Sequence, residues 1–176
     1  MSNPANRSHC RSRQVRLLVL SVVLSVALLA GAAYRTPALA QNANHSAVFD
    51  NNCALCHQLA AAGVPGQFPR LAGRAGKIAA TATGRSYLER LVLSGMIGRI
   101  TVDGSEIDGG MMPPFASLSD QDLADALDYI VSLDDSGKLH WQGPMFKAAD
   151  IAKARADKAL SPTEVHQLRA AAVGKL

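Results

Sequence analysis

Beyond residue 40 this 176-residue chain has two cysteines, Cys53 and Cys56, and no third. A structural zinc site needs about four nitrogen or sulfur ligands. Besides His57, the same stretch offers only His45, His140 and His166, so a closed site built from the chain alone is disfavoured. No segment alternates apolar and polar residues as a half-buried strand does. No strand–helix–strand pattern surrounds the two cysteines, which removes the usual setting of a thioredoxin-like Cys-x-x-Cys pair. Between residues 101 and 135 there are nine Asp and Glu and no Lys or Arg.

The first 40 residues stand apart. Arg7, Arg11, Arg13 and Arg16 make a basic start, Leu17 to Ala33 is an uncharged apolar run, and Ala38-Leu39-Ala40 has the small-x-small form of a cleavage site. This reads as a secretory signal peptide over residues 1–40, cut after Ala40. The competing reading is a retained anchor, but the run is short of the roughly 20 residues a membrane span requires. Cys10 precedes the apolar run and so cannot carry a lipid at its end. Five of the 18 Lys and Arg lie in residues 1–40, whereas all 14 Asp and Glu lie beyond, so the net charge falls from +4 to −1 without the leader. A chain with that balance gives no case for nucleic-acid binding. The acidic 101–135 stretch lies between two segments of net +4. Such polarity either orients the protein before a partner or belongs to solvated helix faces.

What is present is sharper. Cys53-Ala54-Leu55-Cys56-His57 is Cys-x-x-Cys-His, the attachment pattern of haem c. On a helical turn, residues three apart project to the same side. Two thiols so placed reach the two vinyl groups on one haem edge, and His57 turns its imidazole toward the iron. One covalent haem c is therefore the expected cofactor, with His57 as an axial ligand. A Cys53–Cys56 disulfide is the competing reading in an exported protein.

For the second axial ligand the candidate is Met112, in Met111-Met112-Pro113-Pro114-Phe115, 55 residues after His57. A thioether favours Fe(II), so His/Met ligation raises the reduction potential and suits electron transfer. The two prolines hold the chain extended, and Gly109 and Gly110 permit a tight turn before the sulfur. Neighbouring side chains diverge, so one methionine binds. Met112 abuts the prolines, and Met111 is packing. His45, His140 and His166 are the fallback ligands.

The rest reads as helix and loop. A first helix runs from His45 to His57. A second starts at Ser86 with the capping-box pair Ser86 and Glu89, carries Leu88, Leu91 and Val92, and ends at Gly95. A third is capped by Ser119, with Asp120 and Asp122 in its first turn and Leu123, Leu127, Ile130 and Val131 on its buried face. Residues 63–76 form a Gly- and Pro-containing loop. Phe146 to Leu160 is Ala-rich and helix-prone, and Ser161-Pro162-Thr163-Glu164 starts another helix. The domain boundaries expected are 41–134 for a haem domain and 135–176 for a helical extension. Either the extension wraps the domain with Trp141 as its anchor, or it docks the domain onto a larger enzyme.

Taken together, residues 44–134 resemble the class I c-type cytochromes. The resemblance rests on the Cys53–His57 motif, on Phe68-Pro69-Arg70-Leu71-Ala72-Gly73, on the Met112-Pro113 strap and on a terminal helix opening Leu118-Ser119-Asp120. It implies an all-α fold of helices and loops around one haem. It also implies that the Pro69 carbonyl accepts a hydrogen bond from His57, that Leu71 lies against the haem, and that Phe49 meets Tyr129 where the first and last helices cross. The approach Ile107-Asp108-Gly109-Gly110-Met111-Met112 resembles a subset with Tyr-Asn-Gly before the methionine, which includes haem subunits accepting electrons from periplasmic dehydrogenases. Here Ile107 and Asp108 replace the Tyr and Asn, which puts their hydrogen bonds in doubt. Arg70, Arg74, Tyr87 and Arg99 are candidate propionate partners.

The resemblance implies a periplasmic, non-enzymatic one-electron carrier whose partners are redox proteins: a donor dehydrogenase, a terminal oxidase, or both. No stable membrane insertion is expected once the leader is removed. Alternatives are a tightly held subunit of an oxidoreductase, and a haem enzyme or sensor with an open sixth position.

Overall fold

A computed structural model describes residues 47–108, 110–140 and 143–174. The expected leader, His45, Gly109 and Trp141 lie outside the described residues. Among the described residues, no helix is long and apolar enough to cross a membrane.

Residues 47–52 are helical and lead into α1 (Ala54–His57). The chain then reverses: Gln58, Ala60 and Ala61 all take positive φ, 61°, 53° and 56°. That run ends the helix immediately after His57 and turns the chain through a short 3-10 segment, Leu59–Ala61. A loop over residues 62–74 follows, then α2 (Ala75–Ala79) and α3 (Ala82–Ser94).

The start of α3 differs from the sequence expectation. Thr81, in extended conformation, caps it by accepting from Gly84 N at 3.0 Å, so Ser86 sits inside the helix. Ser86 and Glu89 have capping-box spacing, but Thr81 binds the orphan amide first. Gly95 ends α3 as expected, with φ 70°.

The fold class holds, with one correction to the reading of helix and loop only. Four short strands follow α3: β1 (Met96–Ile97), β2 (Ile100–Val102), β3 (Ser105–Ile107) and β4 (Met111–Met112). β2 and β3 form a hairpin, and β1 pairs antiparallel with β4 in the register Met96↔Met112 and Ile97↔Met111. Ladders of two or three residues are too short for a period-2 pattern to show.

Helix α4 (Asp120–Ser132) is capped by Ser119, which accepts from Asp122 N at 3.1 Å. Its buried side includes Leu123, Leu127, Ile130 and Val131. Phe49 and Tyr129 meet with ring centroids 5.0 Å apart and planes tilted by 44°, the offset aromatic geometry that adds to area burial.

The C-terminal segment adds α5 (Ala148–Ala156) and α6 (Pro162–Val173), and it belongs to the same compact unit as the rest of residues 42–176. Ser161 and Glu164 form the expected capping box, with Pro162 at the first position. Ile151 of α5 and Val165 of α6 are fully buried. The entry to α5 is fastened by Phe146. Its amide donates to Asp128 Oδ1 at 2.6 Å, and the Arg85 guanidinium lies 3.8 Å from its ring centroid. Arg90 grips the other end through the carbonyls of Ala154 and Lys158 and the Asp157 carboxylate.

Truncating a buried aromatic ring typically costs about 3–5 kcal/mol. Phe146→Ala should therefore lower stability by that order in urea unfolding, which a loosely attached tail would not.

Candidate functional site

The site begins with the geometry of α1. Cys53 precedes the helix and packs half-buried against the core, while Cys56 and His57 lie on the wall of the main pocket. Cys53 and Cys56 are not joined in a disulfide. Burial, with the neighbouring Cys56, pushes the Cys53 thiol up to about 11. An activated redox cysteine has the opposite shift.

His57 is buried, and burial holds its pKa below the ordinary value against the hydrogen bond to Pro69. Its Nδ1 lies 2.9 Å from the Pro69 carbonyl oxygen. A carbonyl only accepts, so Nδ1 carries the proton and Nε2 keeps its lone pair for a metal. The loop that brings Pro69 there depends on Gly63. Gly63 N donates to the His57 carbonyl at 2.7 Å. At φ 67°, a Cβ on Gly63 would lie 2.5 Å from Arg70 N.

The pocket has a volume of about 1070 Å³, counting the space at its mouth. Pro69, Leu71, Met111 and Met112 all line it, together with Cys56 and His57. The remaining wall is largely aliphatic: Ile78, Leu88, Leu91, Val92, Leu127 and Ile130.

Met112 is half-buried and packs on the core cluster, whereas Met111 is 66% exposed. The strap is held in two ways. β4 pairs with β1, and Phe115 N donates to the Val92 carbonyl at 2.9 Å. His140 and His166 do not line the pocket, and His45 lies outside the described residues.

Of the four candidate propionate partners, Arg70, Arg74 and Tyr87 line the pocket and Arg99 does not. Arg99 is instead exposed and pairs with Glu106 and Asp108. Ile107 is buried on the pocket wall, and Asp108 is committed to Arg99, so neither takes a role beside the methionine.

Sequence reasoning missed Met96, Arg169 and Val173, which also line the pocket. Met96 is buried, and its sulfur accepts from the Tyr87 hydroxyl at 3.6 Å. Burial pushes the Tyr87 phenol up to about 12, opposed by the nearby Arg169 charge. It stays a neutral donor at physiological pH. Nothing in the local sequence marks these residues. The register of β1 on β4, which places Met96 opposite Met112, was the hidden information.

Residues 42–134 match the family described as Cytochrome c. Over 114 residues the chain is 40% identical to a cytochrome c-552 of Thermus thermophilus, covering 64% of this chain and 85% of that one. It is equally identical to a second cytochrome c-552 of the same species, covering 75% of that protein. The chain belongs to the cytochrome c family.

It is a class I c-type cytochrome, an electron-carrying haem protein with one covalent haem c. The residues present fit that group. The wall is apolar over most of its area, one imidazole has its tautomer fixed, and sulfur and thiol groups stand on the same pocket. Arg70, Arg74 and Arg169 add positive charge to its lining.

The methionine strap of this cytochrome passes against Gly95. At φ 70°, a Cβ there would sit 2.4 Å from the Met112 carbonyl oxygen. The left-handed backbone alone costs an L-residue about 1–2 kcal/mol. Gly95→Ala should lower the thermal midpoint, and a wild-type midpoint would show that the strap can move away from a Cβ at this position.

Proposed function

We propose that this cytochrome is an exported one-electron shuttle, with Cys53 and Cys56 as the covalent tethers and His57 and Met112 as the axial ligands. The two thiols would hold the haem through thioether bonds. The observation that carries the reading is the pairing, on one apolar pocket, of a half-buried Met112 with a His57 whose Nδ1 is committed to Pro69. When bound, the haem iron supplies a one-electron couple.

The chain's part is to hold it. The Pro69 carbonyl fixes the imidazole and raises its basicity as a ligand. Leu71 and its aliphatic neighbours exclude water from the ring. The thioether of Met112 favours the reduced state and a raised potential. In the electron transfer itself, no side chain has to act as acid, base or nucleophile.

Electrons leave by the edge near Cys53 and Cys56. Leu55, between the two cysteines in sequence, is 88% exposed. Leu59, Ile97 and Met111 are exposed too, and the last two face each other across the β1–β4 ladder. Such exposed apolar side chains suit brief contact with redox proteins, a donor dehydrogenase and a terminal oxidase or other acceptor. Placement in the periplasm rests on the basic start, the apolar run and the Ala38-Leu39-Ala40 site.

A free shuttle is favoured over a held subunit because the extension buries Phe146, Ile151 and Val165.

Potentiometry with visible and near-infrared spectra of Met112→Ala and Met111→Ala tests the assignment. Met112→Ala should lower the potential and abolish the sulfur-to-iron charge-transfer band. Met111→Ala should keep both. The reverse pattern would move the ligand to Met111, and loss in neither would overturn methionine ligation by this strap.

A further inference from the structure

Helix α6 lies beyond residue 134, where the family match ends, yet Arg169 and Val173 of this helix stand on the wall of the haem pocket. Beside that pocket is a second, open basin with a lining of mixed polarity, where α6 meets the β2–β3 hairpin. The two share Arg74, Ile100, Arg169 and Val173. The basin also contains Arg99, Asp103 and His166. Cations outnumber anions on its lining three to one, taking His166 as neutral.

Most of those charges are spoken for. Asp103 accepts from Arg70 and from Arg74, each at 2.8 Å. Arg99 holds Glu106 and Asp108. Arg169 is different. Its Nη2 donates to the Thr101 carbonyl at 3.1 Å, and among the described residues it has no carboxylate partner. A half-buried guanidinium carries five donors and is matched by a carboxylate in a two-pronged contact. Helix α6 is set firmly enough to aim it. His166 Nε2 bonds the Arg99 carbonyl at 2.8 Å, and a Cβ on Gly98 would lie 2.7 Å from the His166 ring.

We propose that Arg169, supplied by the C-terminal extension, is a haem propionate partner, so that the docking of α6 sets the reduction potential of the cytochrome. This rests on the reading that the haem fills the main pocket with His57 and Met112 as ligands. The acidic edge of a haem has to leave the aliphatic wall, and the basin shared with Arg74 and Arg169 is the polar way out. A cation held there disfavours the ferric state, which carries one more positive charge than the ferrous. Arg169 is a positioning and tuning residue. It does not touch the iron.

The test uses the purified holoprotein and its Arg169→Ala, Arg169→Gln and Arg169→Lys variants. Midpoint potential and the ligand spectrum are read for each. Ala and Gln should both lower the potential, by up to about tenfold in the redox equilibrium, 59 mV for one electron. Lys should retain most of the wild-type value, and all three should keep the sulfur-to-iron band. Gln can still donate to Thr101, so a Gln variant with wild-type potential would reduce Arg169 to a fastening for the helix and overturn the proposal. Unchanged potentials in all three would do the same. If the wild-type protein itself lacked the band, the ligand reading would fail instead, while the charge effect in Gln against Lys would still decide the role of Arg169.

Discussion

The hydrogen bond from His57 Nδ1 to the Pro69 carbonyl is the contact on which the rest of the site depends. It joins the end of α1 to a loop that has no regular structure of its own. The loop holds its shape through backbone bonds, Gly63 N to the His57 carbonyl, Val64 paired with Phe68 and Leu71 N to the Ala61 carbonyl, and through Arg70 Nη1, which donates to the Ala72 carbonyl at 2.8 Å. Three consequences follow from one bond. The imidazole has a single tautomer, Nε2 is left as the donor atom, and Leu71 is delivered to the pocket wall. The left-handed residues after His57 are the local cost of this reversal. Backbone strain of that kind is typically concentrated at functional sites.

A second constraint is the distribution of charge. The nine acids of residues 101–135 do not form one face. Asp103 and Asp135 are held by Arg70, Arg74 and Lys77 from the N-terminal side, and Arg155 from the C-terminal side holds Asp120. Glu106 and Asp108 share Arg99, and Asp128 caps the Phe146 amide. Exposed ion pairs contribute little each. Their use here is to choose which segments lie together, folding two basic flanks over an acidic middle. The docking role that the same pattern suggested along the sequence is thereby weakened.

How much was legible follows from the range of each signal. Cys53, Cys56 and His57 announce themselves because haem attachment needs them within one turn. Ser119, Ser161 and Gly95 were readable because caps act within about four residues. The place of Met112 on the pocket wall was readable from its prolines. The cap at Thr81 was hidden by Ser86 and Glu89, whose spacing imitates a helix start. The strands escaped notice because they are two or three residues long. Met96 and Arg169 escaped because they reach the pocket through a strand register and a helix docking, neither of which leaves a local trace. The resemblance anticipated the Pro69 and Tyr129 contacts, and spacing alone had not.

Every role assigned to the pocket requires one covalently held haem at Cys53 and Cys56. Mass spectrometry of the exported protein and of its proteolytic peptides measures this directly. The expected result is a single haem mass added to the chain, carried by the peptide containing Cys53 to His57, with neither cysteine alkylatable. A peptide of unmodified mass, with two alkylatable thiols or a Cys53–Cys56 disulfide, would contradict it.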